Sequence, residues 1–127
     1  MEFNLEIPDN HLFIRSAGKQ GIRINDDYYT SPFIVANQRI VPEWPVNSVD
    51  DIDEAALQMI FELEPEVVLI GTGKQQVFLP PAVQMHFYRN GTGFEVMTTD
   101  AACRTFNVLA AEGRKVAAAL LPISNTG

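Results

Sequence analysis

The sequence predicts one α/β domain built in layers, with an early β-hairpin as an added layer or edge. From residue 50 onward the predicted helices and strands alternate, which favours helices packed on a sheet with right-handed crossovers. Residues 67–70 are apolar without interruption, as in a parallel strand that is buried on both faces. With 127 residues, 46% of them hydrophobic and 20% charged, the chain has material for one core. We therefore expect residues 1–127 to form a single domain.

The first half of the chain predicts short strands joined by turns. Residues 11–16 alternate apolar and polar positions imperfectly and residues 22–25 do so cleanly, on either side of a turn at residues 18–21, which is typical of a hairpin. A second turn is expected at residues 25–27. Further predicted strands cover residues 33–36 and 38–41, and Pro42 and Pro45 end regular structure around Trp44.

The second half begins with a predicted helix that Ser48 or Asp50 caps and Pro65 ends. Apolar residues at helical spacing predict its buried stripe: Ile52, Ala55, Ala56, Met59, Ile60 and Leu63.

The remaining elements follow one another closely, and the chain is expected to end in a flexible tail over about residues 122–127. A helix capped by Thr98 or Thr99, with Ala102, Phe106, Leu109 and Ala110 facing inward, should end at Gly113. The other predicted elements are strands at 67–70, 77–79, 94–97 and 115–121, and a helix from Pro80–Pro81 to about Arg89 that Asn90–Gly91 ends.

Composition and charge exclude several classes of protein. Nine basic and sixteen acidic residues give a net charge of −7 without any basic run, which argues against nucleic-acid binding. A lone cysteine excludes a disulfide scaffold, and with two histidines a metal site is not expected. No apolar run reaches the roughly 18 residues of a membrane span, and no signal peptide is recognised. We expect a cytoplasmic protein without a cofactor.

Gly71, Thr72, Gly73 and Lys74 form the one loop that resembles a phosphate-binding turn. They follow the buried strand at the edge where ligands of α/β sheets bind, and glycines there expose backbone N–H groups. The spacing fits neither a P-loop, which needs Ser or Thr after the lysine, nor a dinucleotide fingerprint, which needs a third glycine. A tight structural turn and a small anion site remain the two interpretations.

Three polar residues near the last helix are further candidates. Asn107, Glu112 and Arg114 are candidates for an exposed hydrogen-bonding cluster, or for capping and neutralising the helix end. Cys103 fits a buried inert thiol better than a nucleophile, and His86 fits a surface or capping residue better than a general base.

Trp44, with Tyr28 and Tyr29 upstream, forms an aromatic group in the first half of the chain. A partly exposed aromatic loop can anchor a partner protein, whereas the same residues can also fix the hairpin layer to the core. Both interpretations remain open.

The chain resembles the Mth-domain family of unknown biochemical function, which includes a mitochondrial respiratory complex I assembly factor and the adipogenesis-associated Mth-domain protein. The resemblance rests on Gly71-Thr72-Gly73 after residues 67–70, and above all on residues 99–109 running into residues 112–120. It implies a three-layer α/β domain with a mixed central sheet and an extra β layer. The resemblance implies no established enzyme activity and offers no agreed catalytic residues.

Two hypotheses for function follow. In the first, the protein is a non-enzymatic interaction protein that assists assembly of a larger, membrane-associated complex, and Tyr28, Tyr29 and Trp44 lie in its partner surface. In the second, it is either a protein that binds a small anionic ligand at residues 71–74 together with Asn107 or Arg114, or an enzyme that also acts on that ligand.

Overall fold

The structure is a computed structural model that describes residues 11–123, and their strands form two separate sheets. The smaller sheet has the order β1-β2-β3 and the larger one the order β5-β4-β8-β6-β7. The strands are β1 (Ile14–Gly18), β2 (Gly21–Ile24), β3 (Asp27–Tyr29), β4 (Phe33–Ala36), β5 (Ile40–Val41), β6 (Val67–Thr72), β7 (Gly93–Met97) and β8 (Val116–Leu121).

The larger sheet is mixed, as the family resemblance implies. Strand β6 runs parallel to both of its neighbours, pairing Val67 with Val116 and Thr72 with Leu121 along β8. Strand β4 is antiparallel to β8, with Phe33 opposite Leu120. Every residue of β6 and β8 is buried, which confirms the prediction of a strand covered on both faces.

Helices cover both faces of this sheet, so that the domain has three layers. On one face, α1 (Glu54–Phe61) and α2 (Pro81–Asn90) form a core with the sheet. On the other face, α3 (Thr99–Ala111) and the three-stranded sheet share a second core. The small sheet packs beside α3, and this arrangement confirms the predicted extra N-terminal β layer.

The helix ends follow local capping chemistry. The Asp53 side chain accepts a hydrogen bond from the Ala56 N–H at 2.8 Å, and this cap starts α1 later than predicted. Ser48 caps instead a separate 3₁₀ turn over Val49–Asp51. Thr98 caps α3, as predicted.

Three expectations for local structure need correction. Residues 77–79 form no strand, since the Val77 N–H donates to the Thr72 hydroxyl instead of to a neighbouring strand. Residues 27–29 form β3, although no strand was predicted there, and its first residue, Asp27, was expected to belong to the turn at residues 25–27. Of the predicted tail, Pro122 is buried, whereas residues 124–127 lie outside the described part of the chain.

Candidate functional site

The loop at the end of β6 contains two glycines with different structural roles. A Cβ at Gly71 would lie 2.9 Å from the Thr99 Cα and 2.9 Å from Leu120 Cδ2, so that only glycine allows this close approach. Gly73 has a φ of +94°, which turns the chain out of the strand. Both glycines are therefore explained by packing and backbone geometry without a ligand.

Thr99, the first residue of α3, joins this loop to two strands. Its hydroxyl donates a hydrogen bond to the Leu121 carbonyl and accepts one from the Gly73 N–H at 2.8 Å. The Thr99 N–H in turn donates to the Gly73 carbonyl at 2.9 Å. The side chain is fully buried, so these bonds form away from water. Sequence reasoning weighed Thr99 only as a helix cap and missed this linking role.

Thr72 fixes the segment that follows the glycine loop. Its hydroxyl donates to the Gln75 carbonyl at 2.6 Å and accepts from the Val77 N–H at 3.1 Å. The N–H groups of Gly73 and Val77 are thus bound within the protein, while Lys74 is exposed.

Asn107 holds the small sheet against α3 with both ends of its amide. The Ile14 N–H donates to Asn107 Oδ1 at 2.9 Å, and Asn107 Nδ2 donates to the Ile14 carbonyl at 2.8 Å. These two bonds satisfy the backbone of β1 at this position. Of the two predicted interpretations, an exposed cluster and a helix cap, neither describes this contact.

Arg114 lies at the opposite end of the parallel strands from the glycine loop. Val116 starts β8 beside Val67, whereas the loop follows Thr72, the length of a six-residue strand away, or roughly 20 Å. The structure therefore does not bring Lys74 and Arg114 into one site.

A cavity of about 490 Å³ surrounds Arg114 at that end of the sheet. Arg39 and Lys115 line it together with the carboxylates of Glu62 and Glu64. Because both signs of charge meet there, the cavity favours no single ligand charge.

Trp44 does not lie at the surface. It is 2% exposed, and its Nε1 donates a hydrogen bond to the Ala56 carbonyl at 3.0 Å. Trp44 packs in the core on the α1 side of the large sheet, away from the small sheet. The expectation of a partly exposed Trp44 is wrong, since α1 supplies both the apolar contact and the hydrogen-bond acceptor.

The two tyrosines of the predicted partner surface differ from each other. Tyr28 is half exposed, and the Arg23 guanidinium lies 6.0 Å from its ring centroid. Tyr29 stacks on the buried Phe33 with ring centroids 4.8 Å apart. Tyr29 therefore fixes the small sheet to the core, and Tyr28 contributes a single exposed ring.

No group of metal ligands or activated nucleophile emerges over residues 11–123. Within that range, no cluster of three or more His, Cys, Asp or Glu could hold a metal ion. Burial raises the pKa of the Cys103 thiol from 9.0 to about 12, with nearby Asp100 adding to the rise and Arg104 opposing it. The thiol is therefore protonated and unreactive at neutral pH.

A group of exposed apolar side chains lies on and just before α2. Phe78 is 82% exposed and Tyr88 is 65% exposed, and Val77 and Met85 are each nearly half exposed. We call these four residues the α2 surface. Sequence reasoning missed them, because residues 77–79 were interpreted as a strand.

A signal in the sequence could have indicated this surface. Residues 67–94 contain no aspartate or glutamate, although the chain has sixteen of them. None of the helices described between residues 11 and 123 is long and apolar enough to cross a bilayer. The α2 surface is thus an apolar region that lies in a stretch of the chain without acidic residues.

Comparison with known proteins identifies relatives over most of the chain. The model of a "Protein of unknown function (DUF498/DUF598)" family matches residues 14–121. NADH dehydrogenase (ubiquinone) 1 alpha subcomplex assembly factor 3 of Bos taurus is 36% identical over 113 residues, covering 87% of this chain and 61% of the relative. The same-named protein of Drosophila melanogaster is 37% identical over 126 residues, covering 94% and 63%. The chain thus spans about three fifths of the length of these relatives.

A solved structure agrees with the fold described above. The solution structure of a Mth938-like domain from Bordetella pertussis shares 30% identity with this chain and gives a TM-score of 0.81. The match covers 97% of this chain and 93% of that domain. On its sequence and on its fold, the chain belongs to the DUF498/DUF598 family of proteins of unknown function.

Proposed function

We propose that this protein assists the assembly of a larger complex through protein contacts and catalyses no reaction itself. The relatives in Bos taurus and Drosophila melanogaster carry the name of an assembly factor, which supports the proposal by analogy. We place this activity in the cytoplasm, because a chain with a single free thiol suits a reducing compartment.

The observation that carries the proposal is the α2 surface. Single exposed apolar residues are common on monomeric proteins, whereas neighbouring ones indicate an interaction site. Here Val77 and Phe78 are adjacent in the chain, and Met85 and Tyr88 lie three residues apart on the outer face of α2. Their exposure leaves apolar area in water that contact with a partner would bury.

The alternative proposal, an anion site at Gly71–Lys74, has less geometric support. The Gly73 N–H of this segment already donates to the Thr99 hydroxyl, and the Thr72 hydroxyl is engaged by the Gln75 carbonyl and the Val77 N–H. Asn107 is occupied by Ile14, and Arg114 lies at the other end of the sheet. The loop instead serves as the rigid base of the segment that carries Phe78.

The test is the effect of deleting the gene on the large complexes of the cell. Native gel separation followed by mass spectrometry would compare cells without the protein, cells with wild type and cells with Phe78→Ser/Tyr88→Ser. We expect one complex to be lost or trapped as a subcomplex, with recovery from wild type and not from the double variant. An Arg104→Ala variant, changed on the exposed side of α3, is the matched control and should restore assembly.

Unchanged complexes in the deletion strain would overturn the proposal. A metabolite that accumulates on deletion and is consumed by the purified protein would also overturn it, because that result would establish an enzyme.

A further inference from the structure

We propose that the α2 surface docks a protein segment whose contact face is apolar and whose flanks carry aspartate or glutamate. This inference rests on the proposed function and names the chemistry of the partner.

The chain on both sides of Phe78 is anchored, so that the ring is presented by a fixed backbone. Before it, the Val77 N–H donates to the Thr72 hydroxyl at 3.1 Å. After it, the Leu79 side chain is buried, and the Leu79 carbonyl accepts a hydrogen bond from Gln84 Nε2 at 2.9 Å. Backbone that is already fixed loses little conformational entropy on binding, which favours tight contact.

Tyr88 is supported from below by two further aromatic rings. Its ring makes an edge contact with Phe94 at a centroid distance of 5.7 Å, and Phe94 stacks on Phe87 at 4.7 Å. Phe87 is fully buried in the core, so this stack joins the exposed ring to the interior. Met85 adds a side chain that adapts to the shape of a partner. Rigid aromatic rings beside an adaptable methionine are characteristic of the cores of protein interfaces.

The charges near the α2 surface differ in sign from those of the whole chain. The net charge is −7, yet residues 67–94 carry Lys74 and Arg89 with His86 and no acidic residue. The Lys74 and Arg89 side chains form no ion pair among the residues that the structure describes. Two unpaired cations beside an apolar face would complement acidic groups on the flanks of a partner.

One acidic residue on each neighbouring element, Glu54 of α1 and Glu95 of β7, bears on these cations. Glu54 lines a small cavity of about 190 Å³ together with His86 and Arg89, so it lies on the α1 side of α2, and it forms no ion pair with Arg89 in the described part of the chain. Glu95 lies in β7 between Phe94 and Val96, which both pack against the core on the α2 side. Since side chains alternate along a strand, Glu95 points to the opposite face of the sheet.

Two other occupants of the surface fit less well. A two-fold dimer through this face would place like charges of the two copies in one interface, which opposes association. An anionic membrane extends beyond the α2 surface and would also meet acidic groups of the rest of the chain, whose net charge is −7, whereas a short protein segment meets only the cations beside this surface. The observations therefore favour an acidic protein segment.

The experiment places a photo-crosslinking amino acid, p-benzoyl-phenylalanine, at position 78 of the full chain in its native cells. The control places the same probe at Val108, an exposed apolar residue on α3. We expect position 78 to crosslink to a peptide with apolar residues next to Asp or Glu, and position 108 to give no such adduct. In a Lys74→Glu/Arg89→Glu background the adduct should fall at least fivefold, and changing the mapped acidic residues to lysine should restore it.

Several results would overturn the inference. They are an adduct with lipid, with a second copy of this chain or with a peptide lacking acidic residues, equal adducts at positions 78 and 108, or no adduct at position 78. Loss of a complex in the deletion strain without an adduct at position 78 would reject this surface and retain the proposed function. Intact complexes in that strain would reject the proposed function itself.

Discussion

Helices α2 and α3 both bury an apolar inner face against the large sheet, but their outer faces differ. Each helix places a fully buried phenylalanine toward the sheet, Phe87 in α2 and Phe106 in α3. Toward solvent, α3 pairs Arg104 with Asp100 one turn away and exposes one large apolar side chain, Val108, whereas α2 exposes Met85 and Tyr88 within its shorter length. Burial of the inner faces accounts for both helices, so the apolar outer face of α2 needs a different explanation, which the proposed partner would supply.

The largest expected effects test whether the two inner faces are equivalent. Phe87→Ala and Phe106→Ala should each lower the free energy of unfolding by about 3–5 kcal/mol, through lost burial and the cavity that remains. Phe87 also contacts the rings of Phe61 and Phe94, so the decrease in the free energy of unfolding for Phe87→Ala should lie at the upper end of this range. Urea denaturation of both variants would measure these losses. A decrease in the free energy of unfolding below about 1 kcal/mol for either variant would contradict the view that both helices depend on a buried phenylalanine.

A second prediction concerns the junction that starts α3. Gly71→Ala should cost about 1–3 kcal/mol, because the new Cβ would lie 2.9 Å from both Thr99 and Leu120. Gly93→Ala in β7 is the matched control, since its Cβ would come no nearer than 3.7 Å to the Glu66 carbonyl oxygen. Comparing the melting temperatures of the two variants would separate crowding around the Cβ at position 71 from a general effect of replacing glycine by alanine. Equal melting temperatures would show that the junction is not tightly packed.

A third prediction uses the buried thiol of α3. Because the folded-state pKa of Cys103 is about 12 and its ordinary value is 9.0, the unfolded chain releases this proton first. Stability is therefore unaffected below about pH 9 and falls above it, by up to about 1.4 kcal/mol per pH unit. Denaturation of wild type and Cys103→Ala between pH 8 and 10.5 would show a smaller decline for the variant. Parallel curves would mean that the thiol titrates normally.

The smallest expected effects concern the outer faces. Phe78→Ser and Tyr88→Ser should change stability by no more than about 0.5 kcal/mol, since exposed side chains contribute little to the folded state. Arg104→Ala should cost about 0.3–0.5 kcal/mol through loss of an exposed pair one helical turn apart. Denaturation curves for the three variants would test this together. A large loss for Phe78→Ser would show that the ring supports the fold instead of a partner.

Periodicity and apolar runs predicted much of this fold from the sequence. The inward stripe of α3 and the continuous run at the start of β6 lie where they were expected, because both depend on spacing within one segment. Residues 77–79 have strand-like composition, but the Val77 N–H binds the Thr72 hydroxyl and the segment pairs with no strand, and composition carries no information about pairing partners. Strand pairing is a property of the whole sheet, so this error could not be avoided locally.

The candidate site was less predictable, because its residues act through distant partners. Asn107 binds Ile14 across 93 positions, and Trp44 finds its acceptor at Ala56 in a helix whose position depends on the whole layer. Neither contact produces a pattern that can be recognised in the neighbouring sequence. The absence of acidic residues over residues 67–94 is visible in the sequence, yet it gained meaning only when the exposure of Phe78 and Tyr88 was known.

The position of β8 also determines when the domain can form during synthesis. This strand is the last of the described elements to leave the ribosome, yet it lies in the middle of the large sheet between β4 and β6. Until it emerges, β4 and β6 have no common partner and their apolar faces stay uncovered. Such long-range pairing slows folding and delays it until β8 has been made. Nascent chains that stop before Val116 should therefore remain unfolded and sensitive to proteolysis.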